Sequence, residues 1–384
     1  MSAHHLPFTL EEYGARLSAC REAMGRASID ILLISSPENI NYLTGYYNIG
    51  NAMYQALLVP LDGDPRFVLR KLFFEGIGGV SWITTGVAVP DTENMLDATR
   101  LEIEAMGGVS ARIGYDGADM HLPVDIIDGL RAGLPKATLV GTGGIVEAGR
   151  VVKSAQEIDY IRQASALSVR AMEAGIARIA PGVTENDIAG VMYHEMMKGG
   201  SGLVSNQPYI YAGMREPARR SSFERNALKA GDSIWFEGSA SIHRYGGPIM
   251  RTFSVGEPPA VVQKTHDVMV RALNAILAAA RPGVTSGEVD RAGRSIVEEA
   301  GLGQHWLHRT GYSVGVSFPP NWGEGYIMDL KPGDSRPLCA GMVFHTVPWV
   351  LLPDVGAIGL SETWRVTDDG IEVLTETPRK LRVA

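Results

Sequence analysis

Two similar stretches decide the fold: VRAMEAGIARIAPGVTENDIAGV (169–191) and VRALNAILAAARPGVTSGEVDRA (270–292). They begin at 169 and 270, an offset of 101 residues. Each reads as a helix, a Pro-Gly-Val-Thr turn and a second helix, because apolar residues recur at helical spacing on both sides of the turn. Thr184 and Thr285 occupy the same place in the two copies and are predicted to cap the second helix.

Strand-like segments follow each copy, at 231–255 and 341–367. Two halves that each run from a helix pair to strands predict one α+β domain with a pseudo-two-fold repeat. The strands of both halves would then meet at a shared cleft. We expect the functional side chains in that cleft.

A different pattern precedes the repeat. Residues 9–28 are predicted to form a helix and residues 29–36 a buried strand. Short apolar runs then alternate with helical patterns, which predicts an α/β domain over 1–150 and a second domain over 151–384. At the boundary, residues 146–175 predict one long helix. The other predicted strands lie at 56–61, 66–71, 112–117 and 138–143, and the other predicted helices at 97–106 and 123–134.

Composition narrows the class of protein. A chain of 384 residues with a net charge of −8 has no basic stripe for nucleic acid or for an anionic membrane. Two distant cysteines, Cys20 and Cys339, give neither a disulfide framework nor a thiolate metal cluster. No apolar run is long enough to span a bilayer, and the N-terminus lacks a secretory pattern. We therefore expect a cytoplasmic protein that acts on a small molecule.

Short motifs mark the second domain. The motif that opens it comprises Arg150, Lys153, Ser154, Glu157, Ile158, Ile161, Arg162 and Ala164. Further motifs are R-T-F (251–253), H-x-T-G (308–311), G-M-V-F (341–344) and V-T-D-D-G (366–370). With the repeat and the preceding α/β pattern, these residues resemble the pita-bread-fold family of prolidase, aminopeptidase P and creatinase over nearly the whole chain. The resemblance implies an α/β N-terminal domain followed by a pita-bread domain.

The family's peptidases hold two metal ions with an Asp, a second Asp, a His and two Glu. The matching positions here are Glu237, Pro248, Tyr312, Val347 and Ser361. Proline and valine side chains offer no ligand to a divalent cation, and a lone hydroxyl does not replace a carboxylate. The resemblance therefore implies the metal-free branch, with no cofactor, and is closest to the ectoine hydrolases, which open a cyclic amidine carrying a carboxylate.

Hydrolysis of a C–N bond without a metal needs a base or nucleophile, a group that stabilises the tetrahedral centre, and an acid for the leaving nitrogen. Glu237 is the central candidate, as nucleophile, base or substrate anchor. His308 matches the first, non-ligating His of the family motif, and Tyr312 and His345 are further proton carriers or donors. Glu362 matches an acidic neighbour that orients a base. The structural alternative for Glu237 is an ion pair with Arg251 or Arg244.

Substrate contacts are predicted more widely. Arg220 stands where the metal-free relatives have an active-site His, which suggests an anionic group on the substrate. The resemblance also implies a homodimer in which first-domain residues complete the neighbouring subunit's site. The substrate-binding candidates are Arg220, Arg251, Tyr245, Glu324, Tyr54 and Arg70.

These observations predict a metal-independent hydrolase of a non-peptide C–N bond in a small anionic nitrogen compound, such as a cyclic amidine or a ureido acid. Three alternatives remain open on the same fold. They are an Xaa-Pro-type metallodipeptidase with atypical ligands, a lyase, and a catalytically inactive binding protein.

Overall fold

A computed structural model describes residues 6–116, 120–213 and 223–384. The chain divides into two units, Met1–Arg150 and Val151–Ala384. Within the described ranges, no helix is both long enough and apolar enough to cross a bilayer. Each unit has its own hydrophobic core.

The first unit is built on a mixed six-stranded sheet. The first strand lies inside it, antiparallel to the second and parallel to the fifth. The strands are β1 (Ile31–Ile34), β2 (Ala56–Pro60), β3 (Arg66–Arg70), β4 (Gly86–Val89), β5 (Arg112–Tyr115) and β6 (Thr138–Gly141), in the order β4-β3-β2-β1-β5-β6.

The described part of this unit also contains six α-helices. The first begins after Thr9, whose hydroxyl accepts a hydrogen bond from the amide of Glu12 and so caps the helix. The helices are α1 (Leu10–Arg26), α2 (Pro37–Thr44), α3 (Lys71–Phe74), α4 (Met95–Ala105), α5 (Val124–Gly133) and α6 (Ile145–Arg150). The α/β class predicted for this part of the chain is confirmed.

The second unit contains the repeated helix pairs. They are α7 (Ala155–Arg178) with α8 (Glu185–Lys198), and α9 (Ala260–Ala279) with α10 (Ser286–Glu299). Thr184 and Thr285 cap α8 and α10, and both belong to full capping boxes, with Asp187 and Glu288 as the reciprocal partners. The predicted caps and the predicted repeat are confirmed.

The strands of the second unit form a four-stranded sheet, a five-stranded sheet and two short hairpins. The larger sheets have the orders β19-β11-β8-β7 and β13-β12-β14-β17-β18. The strands are β7 (Tyr209–Ala212), β8 (Ser233–Gly238), β9 (Ser241–Ile242), β10 (Tyr245–Gly246), β11 (Ile249–Ser254), β12 (Gly311–Ser313), β13 (Asp329–Leu330), β14 (Val343–Thr346), β15 (Trp349–Leu352), β16 (Gly356–Gly359), β17 (Glu362–Val366), β18 (Ile371–Val373) and β19 (Arg382–Val383).

Each helix pair packs on its own sheet. Phe236 of β8 and Phe253 of β11 lie in the core of the first half, with ring centroids 4.6 Å apart. Phe344 of β14 and Trp364 of β17 lie in the core of the second half, 5.2 Å apart. Because side chains alternate along a strand, the neighbours of these aromatic residues point to the opposite face of each sheet.

The prediction of a single helix over 146–175 is wrong. The chain forms α6 and α7 instead, with a non-helical segment between Arg150 and Ala155. Ser154 and Glu157 form a capping box, which starts a new helix at this point. The amide of Lys153 donates to the carbonyl of Gly341, so the break is also held by tertiary contact.

The matched caps generate a stability prediction. Thr285→Ala removes the acceptor for the amide of Glu288 and should lower the free energy of unfolding by about 1 kcal/mol. Thr285→Ser keeps a hydroxyl and should stay close to the wild type. Denaturant unfolding followed by circular dichroism compares the three proteins. Equal stability of the Ala and Ser variants would contradict the assigned cap.

A buried histidine generates a second prediction. His266 of α9 is 1% exposed, and neither ring nitrogen has a hydrogen-bond partner among the residues that the structure describes. Burial lowers the pKa of His266 from 6.5 to about 4. The unfolded chain therefore binds this proton more readily, so folding stability falls as the pH drops from about 6.5 towards 4.

Replacing His266 by Phe should remove this contribution, which amounts to about 3 kcal/mol at the acid end of that window. Unfolding curves between pH 7 and pH 4 should therefore be flatter for the variant than for the wild type. His194, which is exposed on α8, provides the control as His194→Gln. If the stability of His266→Phe falls with pH as steeply as that of the wild type, burial of His266 is not the cause.

Candidate active site

Glu237 lies at the centre of the four-stranded sheet of the first half. In register it pairs with Tyr209 of β7 on one side and with Met250 of β11 on the other. Its neighbour Phe236 points into the helix-covered core, so Glu237 points to the other face. The alternation of the strand thus places one carboxylate on the sheet face opposite the helices, while the other face is apolar.

His345 has the matching position in the five-stranded sheet of the second half. It pairs in register with Tyr312 of β12 and with Thr363 of β17. Its neighbour Phe344 lies in the core against α9 and α10. The ring of Tyr312 lies 5.5 Å from the imidazole of His345, centroid to centroid.

One hydrogen bond joins the two sheets at this point. Nε2 of His345 lies 3.0 Å from Oε1 of Glu237, and the exposed fractions of the two side chains are 0% and 10%. The predicted alternative, in which Glu237 pairs with Arg251 or Arg244, is wrong. Among the described residues, Oε2 of Glu237 has no hydrogen-bond donor and is not enclosed, so it is the oxygen that a ligand can reach.

Two phenols face the carboxylate. The hydroxyl of Tyr312 accepts a hydrogen bond from Nε1 of Trp322 at 2.9 Å, and the hydroxyl of Tyr209 accepts one from Asn206. Each phenol therefore keeps its own proton for another acceptor. Trp322 also packs edge-on against Tyr209, with centroids 5.1 Å apart. The site is thus a carboxylate and an imidazole bordered by aromatic rings.

The protonation of these phenols follows from their surroundings. Burial, and then the negative charge of Glu237, raises the pKa of Tyr209 to about 12. The same two causes, in the same order, raise the pKa of Tyr312 well above its usual value. Both side chains are hydrogen-bond donors near neutral pH, and neither is a base there.

Glu362 and Arg251, both predicted at the site, bind each other at 2.7 Å in the second unit. Glu362 also accepts from Arg379 at 3.1 Å and from Thr375 at 2.7 Å, while Arg251 also donates to Thr377 at 2.6 Å. These contacts give the pair a structural role. Their predicted roles in catalysis and in substrate binding stay predictions.

Tyr245 and Glu324 are also engaged in structural contacts. The hydroxyl of Tyr245 donates to Glu157, the capping residue of α7, at 2.9 Å. Glu324 forms a buried ion pair with Lys153 at 2.9 Å, and Lys153 also donates to Ser313. Because Ser313 follows Tyr312 in β12, this pair helps to fix the strand that presents the phenol.

His308 lies in a group of aromatic rings. It stacks on Trp349 with centroids 4.8 Å apart and an interplanar angle of 19°, and lies 6.0 Å from Trp306. Burial lowers the pKa of His308 to about 4, so the ring is neutral near neutral pH. Its described contacts do not include Glu237 or His345, and its catalytic role stays a prediction.

Two of the predicted substrate-binding residues, Tyr54 and Arg70, lie in the first unit. The hydroxyl of Tyr54 lies 3.1 Å from that of Thr99, and Arg70 donates to backbone carbonyls, among them those of Asp91 and Glu93. Their contribution to a neighbouring subunit stays a prediction. Arg220 lies outside the described residues.

Three residues of the site were not found from the sequence: Tyr209, Trp322 and Thr363. Strand β7, which carries Tyr209, was not predicted, although the alternation in YIYA (209–212) is a strand signal. Thr363 and its partner His345 both lie in the predicted strand-like segment 341–367, but on two different strands of the structure, β17 and β14. Register between distant strands is a property of the folded sheet and not of either segment alone.

The side chains at the family's metal positions do not fit a pair of divalent cations. Within the described parts of the chain, no three His, Cys, Asp or Glu side chains are grouped closely enough to hold a metal ion. The hydroxyl of Ser361 accepts a hydrogen bond from the amide of Met250 at 2.7 Å. Pro248 and Val347 add no side-chain donor, and the carbonyl of Pro248 accepts from Thr363.

Known proteins resemble this chain over its whole length. It is 28% identical to an ectoine hydrolase of Halomonas elongata over 397 residues, which cover 98% of each chain. It is 30% identical to an uncharacterized hydrolase/peptidase of Sinorhizobium fredii over 395 residues, which cover 98% of this chain and 97% of the other.

Solved structures and family models also match this chain. The fold matches that of a prolidase from Thermococcus sibiricus with a TM-score of 0.87, covering 97% of this chain and 99% of that one; at 20% identity this likeness shows the fold alone. The profile of the creatinase/prolidase N-terminal domain matches residues 16–152, and that of metallopeptidase family M24 matches residues 159–368. The chain therefore belongs to metallopeptidase family M24, a family of hydrolases, and carries a creatinase/prolidase N-terminal domain in front of the M24 domain.

Proposed function

We propose that this protein is a metal-independent hydrolase of a non-peptide C–N bond in a small nitrogen compound, with a cyclic amidine as the favoured substrate class. The observation that carries the proposal is the hydrogen bond between Glu237 and His345, which lies at the centre of both sheets. The similarity to an ectoine hydrolase over nearly the full length supports the substrate class. We also propose, from the resemblance, a cytoplasmic homodimer.

The donor set supports metal independence. Of the five positions that hold ions in the family's peptidases, only Glu237 keeps a carboxylate. Divalent cations such as Mn²⁺ and Zn²⁺ need several oxygen or nitrogen ligands at once. The other four positions hold Pro248, Tyr312, Val347 and Ser361.

Glu237 and the phenols suit a cationic amidinium. The free Oε2 of Glu237 can accept a substrate N–H in a charge-assisted hydrogen bond. The neutral phenols of Tyr209 and Tyr312 add two hydrogen-bond donors beside this carboxylate. An additional anionic group on the substrate would rest on Arg220.

The pair of Glu237 and His345 can move the protons that this hydrolysis needs. Water attacks the amidine carbon, and its proton passes to Oε2 of Glu237. The hydroxyl of Tyr312 donates a hydrogen bond to the new oxygen on the tetrahedral carbon. As the ring C–N bond breaks, Glu237 returns this proton to the leaving nitrogen. It then takes the proton of the new hydroxyl and passes it to the same nitrogen, so that the products are an amide carbonyl and an ammonium group.

Replacing Glu237 by Gln should lower turnover roughly a hundredfold or more, because the amide is not a base. The amide can still hydrogen-bond to His345, so the unfolding midpoint should stay near that of the wild type. Turnover is measured by mass spectrometry with ectoine and related cyclic amidines. The matched control is Glu376→Gln at an exposed position, which should keep wild-type turnover. Full activity of Glu237→Gln would defeat the proposal.

The main competing function is an Xaa-Pro-type metallodipeptidase, since the fold matches that of a prolidase. Elemental analysis of the purified protein should find no stoichiometric Mn, Zn, Fe or Co, and a chelator should leave turnover unchanged. The substrate panel contains cyclic amidines, ureido acids, creatine-like compounds and Xaa-Pro dipeptides. Two bound ions per chain with chelator-sensitive cleavage of Xaa-Pro dipeptides would favour the competing function.

A further inference from the structure

The hydroxyl of Thr363 lies between two groups. It lies 2.7 Å from the carbonyl oxygen of Pro248 and 3.2 Å from Nδ1 of His345. Thr363 and His345 are both fully buried. Thr363 is also β-branched and lies within strand β17, which restricts its side chain to few rotamers.

The direction of these hydrogen bonds follows from a count of protons. A carbonyl oxygen can only accept, so the single hydroxyl proton of Thr363 is directed to Pro248. Thr363 can then only accept at Nδ1 of His345. A buried nitrogen lone pair facing an oxygen lone pair would be repulsive and unsatisfied, so Nδ1 carries a proton.

We propose that Thr363 is a positioning residue that holds His345 in the Nδ1-protonated form, so that Nε2 and Glu237 share the one proton that the reaction moves. This inference rests on the proposed function and extends it to a residue outside the reacting groups. Thr363 acts through His345 and does not touch the substrate in this assignment.

The shared proton follows from the contact at the other ring nitrogen. With Nδ1 protonated, a neutral imidazole presents a lone pair at Nε2, 3.0 Å from Oε1 of Glu237. A carboxylate oxygen at that position presents a lone pair as well. The contact is favourable only with a proton between the two atoms, as an imidazolium with a carboxylate or as an imidazole with a carboxylic acid.

The groups that face Glu237 and His345 neither take up nor release the proton between them. Tyr209 and Tyr312 are neutral donors because their pKa values are raised. Arg309 lies over the ring of Tyr312, 4.8 Å from its centroid, and is paired with Asp329 at 2.8 Å. These neighbours are neutral donors or a paired cation, so the proton between Glu237 and His345 belongs to that pair.

Three variants test the assignment. Thr363→Val keeps the shape and removes the hydroxyl, whereas Thr363→Ser keeps the hydroxyl. Thr252→Val is the matched control, because Thr252 is a buried strand threonine that donates to and accepts from Gly359 and has no described contact with His345. Unfolding curves establish that each variant folds.

Nitrogen-15 NMR of histidine-labelled protein reads the protonation of His345 without any substrate. The signals of His345 are identified by their loss in His345→Gln. We expect a protonated Nδ1 in the wild type, in Thr363→Ser and in Thr252→Val, and loss of that state in Thr363→Val. An Nδ1 signal that is unchanged in Thr363→Val, or a deprotonated Nδ1 in the wild type, would overturn the assignment.

Kinetics give the second readout. In Thr363→Val, kcat should fall roughly tenfold or more with little change in KM. Thr363→Ser should restore kcat, and Thr252→Val should leave it unchanged. A fall in kcat that Thr363→Ser does not rescue would make Thr363 merely structural.

Failure of this inference is separable from failure of the proposed function. In one outcome, Glu237→Gln is fully active while NMR finds Nδ1 of His345 protonated in the wild type and in Thr363→Ser but not in Thr363→Val. The proposed function then fails, and the assigned protonation of His345 stands. If Glu237→Gln is inactive while Thr363→Val leaves the NMR signal unchanged, the role of Thr363 fails and the proposed function stands.

Discussion

The hydrogen bond between Glu237 and His345 is the contact on which the arrangement of the site depends. Each residue is the central member of a row of three side chains that crosses a sheet, from Tyr209 to Met250 in one half and from Tyr312 to Thr363 in the other. A carboxylate removed from water needs a partner. That partner comes from the other sheet, so the pair joins the two halves beside further contacts such as that of Arg251 with Glu362.

The repeated halves make this geometry possible. Each sheet has one face buried under its own helix pair, where Phe236 and Phe344 lie, and the alternation of side chains then directs Glu237 and His345 to the other face. Two apolar cores thus hold two polar rows opposite each other. Lys153 pairs with Glu324 and donates to Ser313, the residue after Tyr312. These contacts help to fix the strand that carries the phenol.

Sequence reasoning reached the fold because its signals are local. The capping residues Thr184 and Thr285 and the apolar periodicity of the helices need no knowledge of distant contacts. It also proposed Glu237, Tyr312 and His345 through their positions in family motifs, and the structure brings these three side chains together. It missed Tyr209 and Thr363, because their importance depends on strand register and on which oxygen a single hydroxyl proton reaches. The helix break before Ala155 was missed because Ser154 and Glu157 cap a new helix inside a continuous helical pattern.

The hydrogen bonds at the positions that match the family's metal ligands limit which substitutions this chain tolerates. Ser361 and Tyr312 already take part in hydrogen bonds, and the carbonyl of Pro248 holds the threonine beside His345. A carboxylate or imidazole introduced at any one of these positions would lie among satisfied neighbours, at a loss of stability and with no ion yet able to bind. A dinuclear site would need several of these substitutions together, so each single step towards it is disfavoured.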